Sequence, residues 1–210
     1  MIFTLKKLYA GQSLLRIRMN QGFEGRPLTG AVVDVGGGHK PDYFEYFDIS
    51  GVTGVTPVDG SMSGIDFERD ALPFPDASVD TVLCANVLEH VYNYRFLIQE
   101  MRRILKPGGT LIGFVPFLIQ YHPDPHDYFR YTKEALARMF GEAEFASLEI
   151  RSIGGGPFTS NFNALVLSVP CFLRPPLYLP YALLDALFLR LRPGIRERYP
   201  LGFIFKMRAP

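Results

Sequence analysis

The chain has 210 residues, 48% of them hydrophobic and 20% charged, with a formal net charge of +1. That is enough apolar content for one domain with a full core and too little length for two ordinary ones. The near-neutral balance excludes a polyelectrolyte surface, so no nucleic-acid partner is expected.

Cys84 and Cys171 lie among apolar neighbours, where a small buried thiol is expected rather than a disulfide, and a reducing, cytoplasmic setting fits. Lys6, Lys7, Arg16 and Arg18 interrupt the first apolar residues, leaving no signal-peptide core. No run of about 18 apolar residues occurs, so no bilayer span is expected.

Residues 1–20 read as one amphipathic helix, with Leu5, Leu8, Leu15 and Met19 near one face. Gly22, Gly25, Pro27 and Gly30 lead into the first strand. That strand, Val32-Val33-Asp34-Val35, ends in Gly36-Gly37-Gly38, a turn whose missing Cβ atoms let a ligand approach the backbone amides. Pro41 to Phe47 allows one short helix, and Val52 to Thr56 is a β-branched strand.

Residues 60–64 read as loop and Leu72 to Asp76 as a proline-set turn, followed by an apolar strand from Val79 to Ala85. Asn93 is placed to cap a helix whose stripe is Leu97, Met101, Ile104 and Leu105, closed by Pro107-Gly108-Gly109. Further strands are expected at 110–115, 148–153 and 201–207, with a helix from Thr132 to Phe140. Strands alternating with helices indicate a parallel α/β sheet with ligands at the strands' carboxyl ends.

Between the last two strands lies an apolar insertion, about 157–197, in which Pro180 is read as opening a helix striped by Leu183, Leu184, Leu187, Phe188 and Leu191. It reads as a substrate lid, a homodimer surface or a peripheral membrane contact, the last with Arg174, Arg190, Arg192, Arg196 and Arg198 facing lipid phosphates.

Four stretches occur in order: Val-Val-Asp-Val-Gly-Gly-Gly at 32–38, Leu-Pro-Phe-Pro-Asp at 72–76, Val-Leu-Glu-His-Val at 87–91 and Arg-Arg-Ile-Leu-Lys-Pro-Gly-Gly at 102–109. Together they resemble the class I S-adenosylmethionine-dependent methyltransferases of the type-11 kind, over roughly residues 30–153. The Pro116-Phe117, His122 and Asp127-Tyr128-Phe129-Arg130-Tyr131-Thr132 elements resemble a subfamily of that group. The resemblance implies a Rossmann-like fold with a mostly parallel seven-stranded sheet and helices on both faces, forming a single domain over 1–210. It also implies S-adenosyl-L-methionine as cofactor and a small-molecule acceptor, apolar or lipid-linked in view of the insertion.

It further implies that Asp34, Gly36, Gly37 and Gly38 hold the methionine portion. Two departures stand out: the family's third glycine falls at Lys40, and its ribose-binding acid falls at Thr56, with Asp59 three residues on as a substitute. Asp66 with Phe67, or Asp70, would read the adenine, and Asn86 lies where the sheet's mouth meets the cofactor. Glu89 and His90 look like signature residues, although a helix-start acid and an ordinary hydrogen-bonded histidine explain them as well.

His122, His126, Asp127, Tyr128 and Arg130 form the most unusual cluster, on a segment held extended by Pro123 and Pro125. His122 is the expected catalytic residue, as base or substrate anchor, and the others are expected substrate contacts; an Asp127–Arg130 salt bridge is the structural alternative. His122, Asp124 and His126 alternate as a metal set would, but no metal is expected, because ligands so close together need a specific bend. The competing class is a non-catalytic binding or scaffold protein on the same fold, with a damaged ribose site.

Overall fold

The structure, a computed structural model, describes every residue but His39 and Lys40, and the backbone alone at Ser61 and Met62. Lys40, one of the two departures above, therefore lies outside the described residues. Six strands, β1 (Pro27–Val35), β2 (Asp48–Val58), β3 (Val79–Ala85), β4 (Leu105–Pro116), β5 (Ala146–Ile153) and β6 (Gly202–Arg208), form one sheet in the order β2-β1-β3-β4-β6-β5. The first four run parallel and β6 is antiparallel to both its neighbours.

Among the described residues the sheet has six strands where seven are expected from the family. Residues 59–78, between β2 and β3, hold only the short helix α3 (Gly60–Ser63) and turns, so no strand forms outside β2. β2 is consequently an edge strand, exposed along its length except at Val52 and Val58.

The period-two alternation of the central strands feeds two cores. Val33, Val35, Val82, Cys84, Leu111, Phe205 and Met207 pack under α4 (Tyr94–Ile104) and α5 (Lys133–Glu142), against Leu97, Met101, Ile104, Leu136 and Phe140. Val32, Leu83, Ile112, Phe114 and Ile204 point the other way, against α1 (Ile2–Tyr9), α2 (Leu14–Phe23), α6 (Pro157–Leu165) and α7 (Arg174–Leu191).

The expected single helix over 1–20 is two helices. Gly11 takes φ +94°, which stops α1, and Ser13 restarts the chain by accepting the Arg16 amide through its Oγ at 3.2 Å. Asn93 stands at the cap position of α4, but its side chain makes no cap bond. The Glu68 carboxylate does this instead, accepting from the Tyr92 and Asn93 amides at 2.6 Å each.

Pro180 does not open a helix; it lies inside α7, which begins at Arg174 with Pro175 and Pro176 in its first turn. Two buried charges lock this helical layer. Asp185 on α7 accepts from the Phe158 and Thr159 amides at the start of α6, at 3.0 and 2.8 Å, and Arg174 donates to the Gly11 and Val169 carbonyls.

A cleft at the carboxyl ends of the strands as candidate active site

β1, β2, β3 and β4 all deliver their carboxyl ends to one rim, and two joined cavities open there. One, of about 740 Å³, is lined by Asp59, Asp66, Phe67, Tyr92, His126 and Tyr128, among others. The other, of about 500 Å³, is lined by Ser13, Leu15, Arg16, Tyr43, Ile119 and His122, among others. Both are bordered by Gly36, Asn86, His90 and Asp124, so they form one cleft with a waist at the glycine turn.

The turn is built tightly. Gly36 adopts φ +77°, its amide donates to Val58 O at 2.7 Å, and a Cβ there would come within 2.2 Å of Val87. A Cβ on Gly37 would sit 1.9 Å from the Asp34 carboxylate, so the loop folds directly over that acid. Around Gly38 a Cβ meets nothing within 4 Å. The backbone here is thus bare toward the cleft, a cradle suited to an anionic or zwitterionic group.

Asp34 itself is fully buried and lines neither half of the cleft. Both its oxygens face the Tyr43 hydroxyl at 2.8 Å, and burial pushes its pKa up to about 7, a rise that the Tyr43 hydrogen bond moderates. Tyr43 comes from the 3₁₀ turn Asp42–Tyr46, which replaces the helix a Rossmann-like unit usually places after its first strand. Asp34 therefore orders the loop from beneath.

β2 runs on to Val58, with Thr56 paired beside Val33 inside the strand and exposed; it borders neither cavity. Asp59 is the first residue past the strand and lines the larger cavity. Asp66 and Phe67 line the same cavity, whereas Asp70 stands behind them, accepting the Asp66 amide at 2.9 Å. Asn86, at φ +56°, ends β3 at the waist, its amide donating to Phe114 O.

The segment after β4 divides. His122 and Asp124 line the smaller cavity, and Asp124, His126 and Tyr128 line the larger. Asp127 and Arg130, expected as substrate contacts, border neither. The Asp127 side chain is 1% exposed and holds Arg130 through two contacts, Nη1 to Oδ1 and Nη2 to Oδ2. Asp127 also accepts the His122 amide at 2.9 Å, and the Arg130 guanidinium holds the carboxyl well below the usual carboxylate range. The pair is the brace of the loop. The loop is in turn tied to the turn after β3, where Glu89 O accepts from the Tyr128 and Phe129 amides and Leu88 O from the Tyr131 hydroxyl.

Behind the smaller cavity lies Glu89, fully buried, with its Oε1 3.7 Å from His90 Nε2 and 3.9 Å from His122 Nε2. The Glu89 carboxylate is the main influence raising the His122 pKa; desolvation opposes it and the Asp127 charge adds to it. Glu89 and the α2 residues Ser13, Leu15 and Arg16 were not marked as site residues by the sequence. Glu89 carried a signal, the Glu-His pair itself, but nothing local in residues 13–16 does.

The strand order and the rim cleft define an α/β protein of the Rossmann-like methyltransferase class. Residues 41–113 match the family model described as "Methyltransferase domain". The resemblance read from the sequence is thereby supported: the matched stretch, together with the Rossmann-like sheet, is similar to the class I S-adenosylmethionine-dependent methyltransferases.

Among its relatives, an uncharacterized methyltransferase of Mycolicibacterium gilvum is 39% identical over 110 residues, covering 45% of this chain and 42% of that protein. Among solved structures, the [4+2]-cyclase SpnF superposes with a TM-score of 0.57 at 15% identity, covering 93% of this chain and 80% of that one. Phosphoethanolamine N-methyltransferase 2 of Haemonchus contortus, in complex with S-adenosyl-L-methionine, superposes with a TM-score of 0.53 at 15% identity, covering 100% of this chain and 56% of that one. At such identities the two structures speak to the fold alone. The chain spans about half the length of the curated relatives it matches.

Proposed function

We propose that this protein transfers a methyl group from S-adenosyl-L-methionine to a small acceptor carried at a membrane surface. The observation that supports it most is the continuity of the cleft: acids and a ring at one end, bare glycine backbone at the waist, histidines at the other. Bound there, the cofactor supplies an electrophilic methyl on a sulfonium sulfur. The turn is bent at Gly36, whose own amide is held by Val58 O; the amides of Gly37 and Gly38 would receive the carboxylate end, and Asp59 would accept from the ribose hydroxyls. Asp66 and Phe67 take the adenine, and Asn86 lines the passage between the two halves.

His122 acts as a substrate anchor in this reading rather than as a base. Its Nδ1 is occupied by Gln120 O, Asp127 and Arg130, and its Nε2 faces Glu89, leaving no free lone pair turned to a leaving proton. His126 and Tyr128 border the acceptor's path. Asp59 at the end of β2, lining the larger cavity, supports this reading over the scaffold alternative, which rested on Thr56 standing in the acid's place.

The membrane location is supported by the helical layer that flanks α2. Over residues 157–189 the only charged residues are Arg174 and Asp185, and both are buried. The outer face of α7 is uncharged and bare, with Leu183 71%, Leu187 59% and Leu191 77% exposed. A helix apolar on both faces, with one face packed, leaves the other without an aqueous partner. Among the described residues no helix is long and apolar enough to cross a bilayer, so contact in this reading is in the plane of the interface. Exposed Arg190, Arg192, Arg196 and Arg198 follow directly and suit anionic headgroups.

Calorimetry with S-adenosylhomocysteine tests the cofactor reading: one-to-one binding is expected, and no heat at millimolar ligand overturns it. Sedimentation with anionic vesicles tests the location, with co-sedimentation expected at low salt and a concentration-dependent dimer without vesicle binding counting against it.

A further inference from the structure

We propose that Glu89, His90 and His122 bind a first-row divalent transition-metal ion, of the zinc, cobalt or manganese kind, at the acceptor end of the cleft. One ligand atom from each of the three residues lies within 4.8 Å of the other two, and Glu89 Oε1 faces Nε2 of both rings. Two ligands on one such ion, bonded at about 2.0 to 2.2 Å, stand about 3.0 to 3.4 Å apart. The observed 3.7 and 3.9 Å separations close to that with small side-chain adjustments.

Three independent features point to an ion. First, Glu89 is fully buried, and neither of its oxygens has a hydrogen-bond partner among the described residues. A buried carboxylate without hydrogen bonds costs free energy that two imidazoles at 3.7 and 3.9 Å offset only when charged, and every other buried acid named above has its oxygens engaged.

Second, both histidines are oriented from behind. His90 Nδ1 meets the His126 carbonyl. His122 Nδ1 lies 3.2 Å from Gln120 O and 3.3 Å from Asp127 Oδ2, two acceptors against one donor, Arg130 Nη2, which already donates to both. The Nδ1 side of each ring is thus held from behind and the Nε2 side is turned toward Glu89; an ion bound there would take the Nε2 lone pairs and leave the protons on Nδ1, the arrangement by which carbonyls and carboxylates orient metal-bound imidazoles.

Third, His90 and His122 line the smaller cavity, so an ion held between them has open positions toward the cleft. Two imidazoles and one carboxylate select a borderline transition metal over magnesium or calcium, which prefer all-oxygen sets.

The ion's ligands leave the Asp127–Arg130 brace a clear purpose: it fixes the His122 ring. The ion's role, but not its presence, rests on the methyl-transfer reading. It would bind an oxygen of the acceptor, so the acceptor class is one that offers a hydroxyl or carboxylate at its reacting end.

The test is a cobalt(II) titration of the chelator-stripped full chain, followed by visible absorption, with zinc competition. One equivalent bound, displaced by zinc, is expected. Glu89→Gln and His122→Ala are each expected to weaken binding about 100-fold or more, and Asp127→Asn, which acts through His122, by about 10- to 100-fold. Failure of the wild-type chain to take up cobalt or zinc overturns the proposal without any variant, as does equal uptake by wild type, Glu89→Gln and His122→Ala. S-adenosylhomocysteine binding by Glu89→Gln, measured in parallel, separates the two claims: retained cofactor binding with lost metal supports the site, and metal uptake without cofactor binding removes only its role.

Discussion

The two halves of the cleft are built in opposite ways. The half around Asp59, Asp66 and the glycine turn stands on two strand ends and short turns, with its buried acid, Asp34, hydrogen-bonded by the Tyr43 hydroxyl. The half around His122 is assembled from residues 13–16, 86–90 and 119–130, and leaves its buried acid, Glu89, unsatisfied. A satisfied carboxylate shapes a loop, whereas an orphaned one waits for a ligand. The first half therefore reads as preformed and the second as completed on binding.

The largest expected effect falls on the preformed half. Gly36→Val and Gly37→Val place Cβ atoms against Val87 and the Asp34 carboxylate, both of them buried with little room to yield. Each is expected to abolish detectable S-adenosylhomocysteine binding by calorimetry and to lower stability by at least about 2 kcal/mol. A variant that binds normally would show the turn to be pliable and dissolve the contrast.

Next in size is a paired comparison along β2. Asp59→Asn is expected to weaken S-adenosylhomocysteine by about 1.5 to 3 kcal/mol, roughly 10- to 150-fold. Thr56→Val, inside the strand and away from both cavities, is expected to leave affinity within about twofold and stability within about 0.5 kcal/mol. Reversal of that order would return the ribose contact to Thr56.

Asp34 offers a subtler test, through pH. Its folded pKa of about 7 stands above the ordinary 3.8, so the folded state holds its proton more tightly than the unfolded chain does. A raised carboxyl favours folding relative to higher pH only while protonated, so stability drains away as pH rises from about 4 to about 7. Asp34→Asn removes that drain. The variant is expected to gain melting temperature relative to the wild type across this window, with a constant difference above it. Parallel melting curves from pH 4 to 8 would contradict the burial argument.

The smallest effect on stability concerns the outer face of α7. Leu183→Glu with Leu187→Glu is expected to change folding stability by no more than about 0.5 kcal/mol per site, since both side chains are exposed. The same change is expected to lower the fraction sedimenting with anionic vesicles severalfold. Unchanged sedimentation would assign that face to something other than lipid.

The same contrast governs what the sequence disclosed. β3 was legible residue for residue, because an apolar run bounded by turn signals has one reading, and the glycine turn was legible because its chemistry lies within seven consecutive residues. Thr56 and Asp59, three positions apart, stood side by side as ribose candidates because β-strand length is not fixed by pattern: Pro57 reads as a strand breaker, yet on an edge strand its missing N–H costs nothing. Asp127 and Arg130 read as substrate contacts because i,i+3 charges look alike whether they face a cleft or each other.

Glu89 was passed over for the opposite reason. The Glu-His pair marked it, but its lack of hydrogen bonds among the described residues is a tertiary fact that no local pattern encodes. Pro180 misled as a helix start because Pro175 and Pro176, five and four residues earlier, open the same helix equally well. The α2 wall of the cleft was invisible, since it is set by packing of α2 against α6 and α7, as in the bond from the Leu15 amide to the Asn163 side chain at 2.9 Å.

The most direct test of the whole account is a crystal structure of the chain with S-adenosylhomocysteine. The account places the adenosine beside Asp59, Asp66 and Phe67, the carboxylate end on the glycine turn, and the sulfur facing the His90 and His122 cavity. Density for the ligand elsewhere on the molecule, or with its sulfur turned away from those histidines, would contradict it.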